Sequence, residues 1–132
     1  MKKQEIIPGL RITFLLHAVI GSLVGFQHLL APRLWTDLAG LQIAETVTWR
    51  LIGAALIGFA LGSWLAYRET DWDRVQIVVI MQIAWSVLGA LVIAWGIVLE
   101  SLPPLEWLNA TLLVVFALAF AFWGTRMVAA QG

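Results

Sequence analysis

The sequence contains no cysteine. That absence removes disulfides, thiolate nucleophiles, iron–sulfur clusters and thiolate zinc sites together, and it leaves the redox compartment without a marker. Charge is scarce as well. Charged residues make up 12% of the 132, eight basic against eight acidic. A balanced chain exerts no general pull on nucleic acid, and no basic patch is interleaved with aromatics, so no nucleic-acid partner is expected. No Asp, Glu or Lys falls inside the long apolar runs. Coupled transporters usually carry such a group within the membrane, because a titrating or coordinating side chain links the two fluxes. A small transporter is therefore a minor alternative here. A phosphate-cradling glycine loop followed by lysine, an HExxH zinc motif and a usable serine–histidine–acid set are missing too. An enzyme is not expected.

What is present is apolar. The chain is 61% hydrophobic with a mean hydropathy of +0.91, far from the average soluble composition. Its length suits one domain. Apolar runs at residues 12–30, 51–67, 75–99 and 107–123 are each of the length that crosses a hydrocarbon core as a helix. The reading is an all-α, four-transmembrane-helix antiparallel bundle forming a single integral membrane domain. The basic start before residue 12 is compatible with a signal peptide. The first run, however, is long, holds two histidines and lacks a small-x-small cleavage site, so it reads as a retained helix.

The connections follow from their breakers. Pro32 ends the first span because it cannot donate into a continuing helix. Leu34, Trp35 and Leu38 alternate with Arg33, Thr36 and Asp37 as in a short interfacial helix, with Gly40 as its stop. Residues 68–74 form a charged turn, and Pro103 with Pro104 forbids a continuous helix through residues 100–106. With four crossings, one side holds Lys2, Lys3, Arg11, Arg68, Arg74 and Arg126, and the other only Arg33 and Arg50. Positive charge gathers on the cytoplasmic side, so both termini are expected there. Trp64, Trp72, Trp123 and Tyr67 then fall near the inner surface, and Trp35, Trp49, Trp95 and Trp107 near the outer one, as aromatic belts. Trp85 alone lies near mid-membrane.

Ala54, Gly58, Gly62 and Ala66 recur every fourth residue and share one face of the second span. In lipid, where apolar side chains gain little by leaving the acyl chains, a face without bulk lets a second backbone approach, and that packing drives association. This span is expected to be the one on which the others pack, by way of that stripe.

Chemistry has few places to be. His17 and His28 are eleven residues apart, which returns a helical side chain to within roughly 20° and about 16.5 Å further along. Gly21 and Gly25 lie on or near the strip between them. A glycine-lined strip with one histidine per leaflet suits haem or chlorophyll, since imidazole is a common axial ligand. The plainer alternative hydrogen-bonds His17 to a neighbouring helix and leaves His28 solvated at the interface. At the helical rise, His17 lies about 9 Å above Arg11, Ser63 about 7.5 Å above Arg68, and Gln82 about 12 Å above Arg74. These three residues are thus expected to form one polar layer across three helices. Its functional alternative is a site for a quinone headgroup, with Trp85 stacking nearby. Arg50, at the outer end of the second span, reads as an interfacial anchor, with Asp37, Glu45 or Glu106 available to pair with it.

The cadence resembles the DoxX-like group of small bacterial four-helix membrane proteins. The first span ends at Ala31 and Pro32, a turn reaches Leu38, Ala39 and Gly40, and the second helix opens at Arg50 and continues through Gly53, Gly58 and Gly62. The likeness covers residues 9–68. It implies a four-helix fold in a bacterial inner membrane and, from some members, an accessory place beside quinone-linked oxidoreductases; no catalytic residue is carried over. The functional expectation is a non-enzymatic structural or accessory subunit, touching the lipid bilayer and other membrane subunits or a second copy. The alternative is a tetrapyrrole- or quinone-binding subunit of an electron-transfer or photosynthetic complex.

Overall fold

Proline opens the first two helices of the computed structural model, which describes residues 4–130. Pro8 starts α1 (Pro8–Leu30) and Pro32 starts α2 (Pro32–Ala39). A residue with fixed φ and no N–H suits a first helical turn, whose amides have no partner within the helix. Gly40 closes α2 in the left-handed conformation at φ 75°, and the Leu41 amide returns to the Thr36 carbonyl at 2.7 Å. That bond ends helices whose last residue must turn left. The other helices are α3 (Val47–Arg68), α4 (Trp72–Leu99) and α5 (Trp107–Ala129), the last entered through a 3₁₀ turn at Pro104–Glu106. Asp71 caps α4 by accepting the Asp73 amide hydrogen at 3.2 Å.

The expected fold is the observed one: all-α, with α1, α3, α4 and α5 each long and apolar enough to cross a membrane. Each helix extends past its apolar run at one or both ends, because polar residues can continue a helix into the headgroup region. α4 is the longest at 28 residues, about 42 Å at the helical rise, and needs tilt or protrusion in a core of about 30 Å.

α1 lies against α3 and α4 against α5; these two pairs then meet, α1 on α5 and α3 on α4. Their apolar core sits toward one end. There Leu10 and Phe14 of α1, Val75 and Val79 of α4, and Phe116, Phe120 and Met127 of α5 are buried in one cluster with Ile6 and Trp72. The segment before α1 closes this end: the Ile6 amide donates to the Thr70 carbonyl, the Trp72 amide to that of Gln4, and the Gln4 side chain to that of Met127 at 2.8 Å. Lys2 and Lys3, which enter the charge count above, lie outside the described residues. Around the bundle large apolar side chains point outward, with Leu23, Leu30, Leu51 and Val92 between 68% and 70% exposed. Water does not tolerate so continuous an apolar surface, whereas hydrocarbon does.

At the opposite end, Trp35 of α2 donates its indole N–H to Glu106 Oε1 at 2.7 Å, and Asn109 of α5 donates to Oε2 at 2.7 Å. This clasp joins the two helix pairs across their loops.

Candidate functional site

The polar side chains of the membrane region converge where all four long helices meet. Ser63 of α3 lies 2.9 Å from His17 Nδ1 of α1, and Gln82 Nε2 of α4 lies 3.0 Å from the Ser63 hydroxyl and 2.9 Å from the Phe59 carbonyl. From α5, the Phe116 and Phe120 rings meet the imidazole at steep angles, with centroids 4.8 and 5.6 Å away. His17, Ser63 and Gln82 are 6%, 0% and 1% exposed. The expected layer of these three residues is therefore assembled in one place, and Trp85 stacks on Phe59 beside it at 4.6 Å.

Chemistry fixes the direction of this chain. The Phe59 carbonyl only accepts, so the oriented amide presents Nε2 to it and spends both hydrogens, one on Phe59 and one on Ser63. Turning the amide over would set two oxygens against each other. Ser63 accepts from Gln82, and its hydroxyl pairs with His17 Nδ1 at 2.9 Å. Gln82 Oε1 is left without a partner.

His28 stands apart. Its Nδ1 is 2.9 Å from the Val24 carbonyl one turn earlier, so that nitrogen carries the proton, and its ring stacks on Trp49 at 5.6 Å. It is 5% exposed. The solvated interfacial histidine of the plainer expectation is thus corrected: the first turn of α3 brings Trp49 over the ring. The two histidines have separate partners, Ser63 for His17 and the Val24 carbonyl for His28. Among the described residues, no group of three His, Asp or Glu side chains is arranged to hold a metal ion.

The small residues divide between two faces. Gly21 faces Ala60, and Gly25 faces Gly53 and Ile57: a Cβ on Gly21 would meet the Ala60 Cβ at 3.2 Å, and one on Gly25 the Gly53 carbonyl at 3.0 Å. Gly53 is tighter still, with the Leu29 amide nitrogen 2.6 Å from such an atom. Gly58 and Gly62 have nothing within 4 Å, and Ala54 is exposed; of that stripe only Ala66 is buried, in the core cluster. Within the chain, then, close approach to α3 runs through Gly53 and Ala60 rather than through Ala54, Gly58 and Gly62. Gly53 sits one residue before the fourfold repeat, and the repeat alone does not distinguish the two faces.

Arg50 is also placed differently from its expected pairing. Its guanidinium donates to the Leu29 carbonyl at the end of α1, where unpaired helix carbonyls attract a cation. Glu106 is taken by Trp35 and Asn109, and Glu45 accepts the Thr48 amide hydrogen at 3.1 Å. Helix-end carbonyls have no residue-type signature, so sequence reasoning had only the acidic side chains to offer. The one ion pair among the described residues joins Arg74 to Glu69 at 3.7 Å, both on the surface.

Compared with known proteins, the chain matches no family model, no curated protein and no solved structure.

Proposed function

We propose that this small multi-pass membrane protein is a non-enzymatic accessory subunit that works by packing against other membrane helices. The observation that carries the reading is the outward stripe of Ala54, Gly58 and Gly62: Ala54 and Gly58 are exposed, and a Cβ on Gly58 or Gly62 would meet nothing within 4 Å. A bulk-free lipid-facing stripe admits a second helix at short distance. Within this proposal the chain is a distant relation of the DoxX-like group, and it resides in a bacterial inner membrane with both termini cytoplasmic. The excess of arginine and lysine at the end that holds residues 11, 68, 74 and 126 supports that orientation. The partner is another membrane subunit or a second copy. Gly58→Leu and Gly62→Leu are expected to leave the purified protein folded and to abolish co-purification of its partner or its self-association; retained association would refute the packing role.

The alternative, a tetrapyrrole or quinone site, draws support from Gln82 and Trp85 lying side by side at the four-helix junction. An absorption spectrum of the purified protein separates the pigment version. A visible band lost in His17→Ala or His28→Ala would favour it, and a colourless preparation would remove it.

A further inference from the structure

Three side-chain polar atoms in the membrane-spanning part of α4 are fully enclosed and have no hydrogen-bond partner: Gln82 Oε1, Trp85 Nε1 and the Ser86 hydroxyl. They lie at positions i, i+3 and i+4, which one helix face holds together. Gln82 and Ser86 are 1% and 0% exposed. Neighbouring hydroxyls show what Ser86 does not do. Thr13, Thr36 and Thr125 each return a hydrogen to a carbonyl of their own helix, and Ser63 turns to His17. Gln82 cannot relieve its own oxygen, because the Phe59 carbonyl and the Ser63 hydroxyl hold both amide hydrogens.

Their chemistry is complementary to one kind of guest. An acceptor, a donor and a hydroxyl that serves as either call for a small group with both functions. In hydrocarbon, where no bulk solvent relieves them, unpaired polar atoms are costly. Water makes two to four such bonds at polar buried sites. A larger headgroup needs an opening beside these residues. Two apolar grooves of the surface lie elsewhere: one is lined by Val19, Leu23 and Trp64 between α1 and α3, the other by Leu91, Ala110 and Leu118 between α4 and α5. We propose that Gln82, Trp85 and Ser86 form a binding site for a single internal water molecule, which extends the His17–Ser63–Gln82 layer along α4. The site is internal and independent of the outward stripe, so its failure leaves the packing role untouched.

The test uses the intact protein in perdeuterated detergent. Nuclear Overhauser contacts between the water resonance and the Trp85 indole proton, assigned by its loss in Trp85→Phe, are expected with the sign of a long-lived bound water. Ser86→Ala and Gln82→Leu should each remove or greatly weaken that contact, while Thr125→Val leaves it intact. Unfolding of Ser86→Ala is followed in parallel, so that loss of the contact is read only in folded protein. If Ser86→Ala does not fold, Ser86→Thr, which keeps the hydroxyl, should retain the contact. An indole proton with no water contact in folded wild-type protein would overturn the proposal. So would a small amphiphile that co-purifies in native mass spectra and is lost on Ser86→Ala.

Discussion

Adding a single methyl group to α3 at either of two glycines should have opposite consequences. In Gly53→Ala the new Cβ would lie 2.6 Å from the Leu29 nitrogen, 2.7 Å from the Gly25 oxygen and 3.0 Å from the His28 carbonyl carbon. All three are backbone atoms of α1 and cannot swing aside as a side-chain tip does. The shortfall against ordinary contact at 3.4 Å is about 0.8 Å, so α1 and α3 must separate by a similar amount along the seam. A gap of 0.5–1 Å forfeits roughly a quarter to a half of each dispersion well, and overpacking of this kind costs about 1–3 kcal/mol. Against it stands the better helix preference of alanine, worth about 1 kcal/mol in soluble helices.

The partner variant removes that offset. Gly58→Ala gains the same preference and meets nothing within 4 Å. The difference between the two variants therefore isolates the steric term. Gly53→Ala should be less stable than Gly58→Ala by about 1–3 kcal/mol, and Gly53→Leu should fail to pair α1 with α3. Reversible unfolding in mixed micelles, followed by circular dichroism on protein dilute enough to be monomeric, measures both. Equal stabilities, or a larger loss in Gly58→Ala, would show that α3 meets α1 on the other stripe, and the account of the fold would fall with it.

Ser63→Ala deprives His17 Nδ1 and one Gln82 hydrogen of a partner, and should cost about 1–3 kcal/mol, above the roughly 0.6 kcal/mol of an average membrane hydrogen bond; a loss no greater than that of Thr125→Val would refute the layer as a junction. Glu106→Gln sets an amide NH₂ against the Trp35 or the Asn109 donor, so detergent-solubilised protein should lose about 1–3 kcal/mol of stability, and an unchanged unfolding midpoint would mean the clasp does not join the helix pairs. In the cysteine-free background, Thr70→Cys and Ser101→Cys should react with an impermeant maleimide from opposite sides of sealed vesicles, and labelling from one side contradicts the crossing pattern. Hydrogen bonds from Thr48 hold the Glu45 carboxyl below its ordinary value. The help it gives the start of α3 is thus present above the unfolded carboxylate range and is lost as pH falls through the lowered value; Glu45→Gln should flatten that acid-side dependence of α3 amide exchange, and an unaltered profile would contradict it.

How much of this was legible beforehand depends on which property of a helix is asked for. Depth was legible, because rise per residue is fixed: the distances of His17, Ser63 and Gln82 from the arginines at their helix ends put them at one level before any packing was known. Breaks were legible at Pro32, Gly40 and Pro103, where a missing N–H or a left-handed residue has one structural meaning. Rotation was not. α3 is apolar nearly all round, so nothing in its pattern says whether Gly53 and Ala60, or Gly58 and Gly62, face α1; in water the polar side would have announced itself. The partners of Arg50 and His28 were illegible for a second reason. Each donates to a main-chain carbonyl, and every residue has one.

The same lack of an amphipathic signal bears on what holds the two helix pairs in register. Apolar contact in lipid prefers one partner over another only through fit, since acyl chains are equally good company. Sliding α4 and α5 by a turn past α1 and α3 would exchange one set of Leu, Val and Ile contacts for another. It would break the Gln4 bonds to Met127 and Trp72 at one end, the Gln82 bonds to Ser63 and Phe59 in the middle, and the Trp35 bond to Glu106 at the other. Spread over three depths, these few polar contacts cannot all be remade in another register. They fix the arrangement, while the apolar surface fixes only that there is a bundle. Loss of any one should leave helical content intact and loosen the pairing of the hairpins at that depth. Amide exchange resolved along α4 would then rise near the severed contact and stay low at the other two.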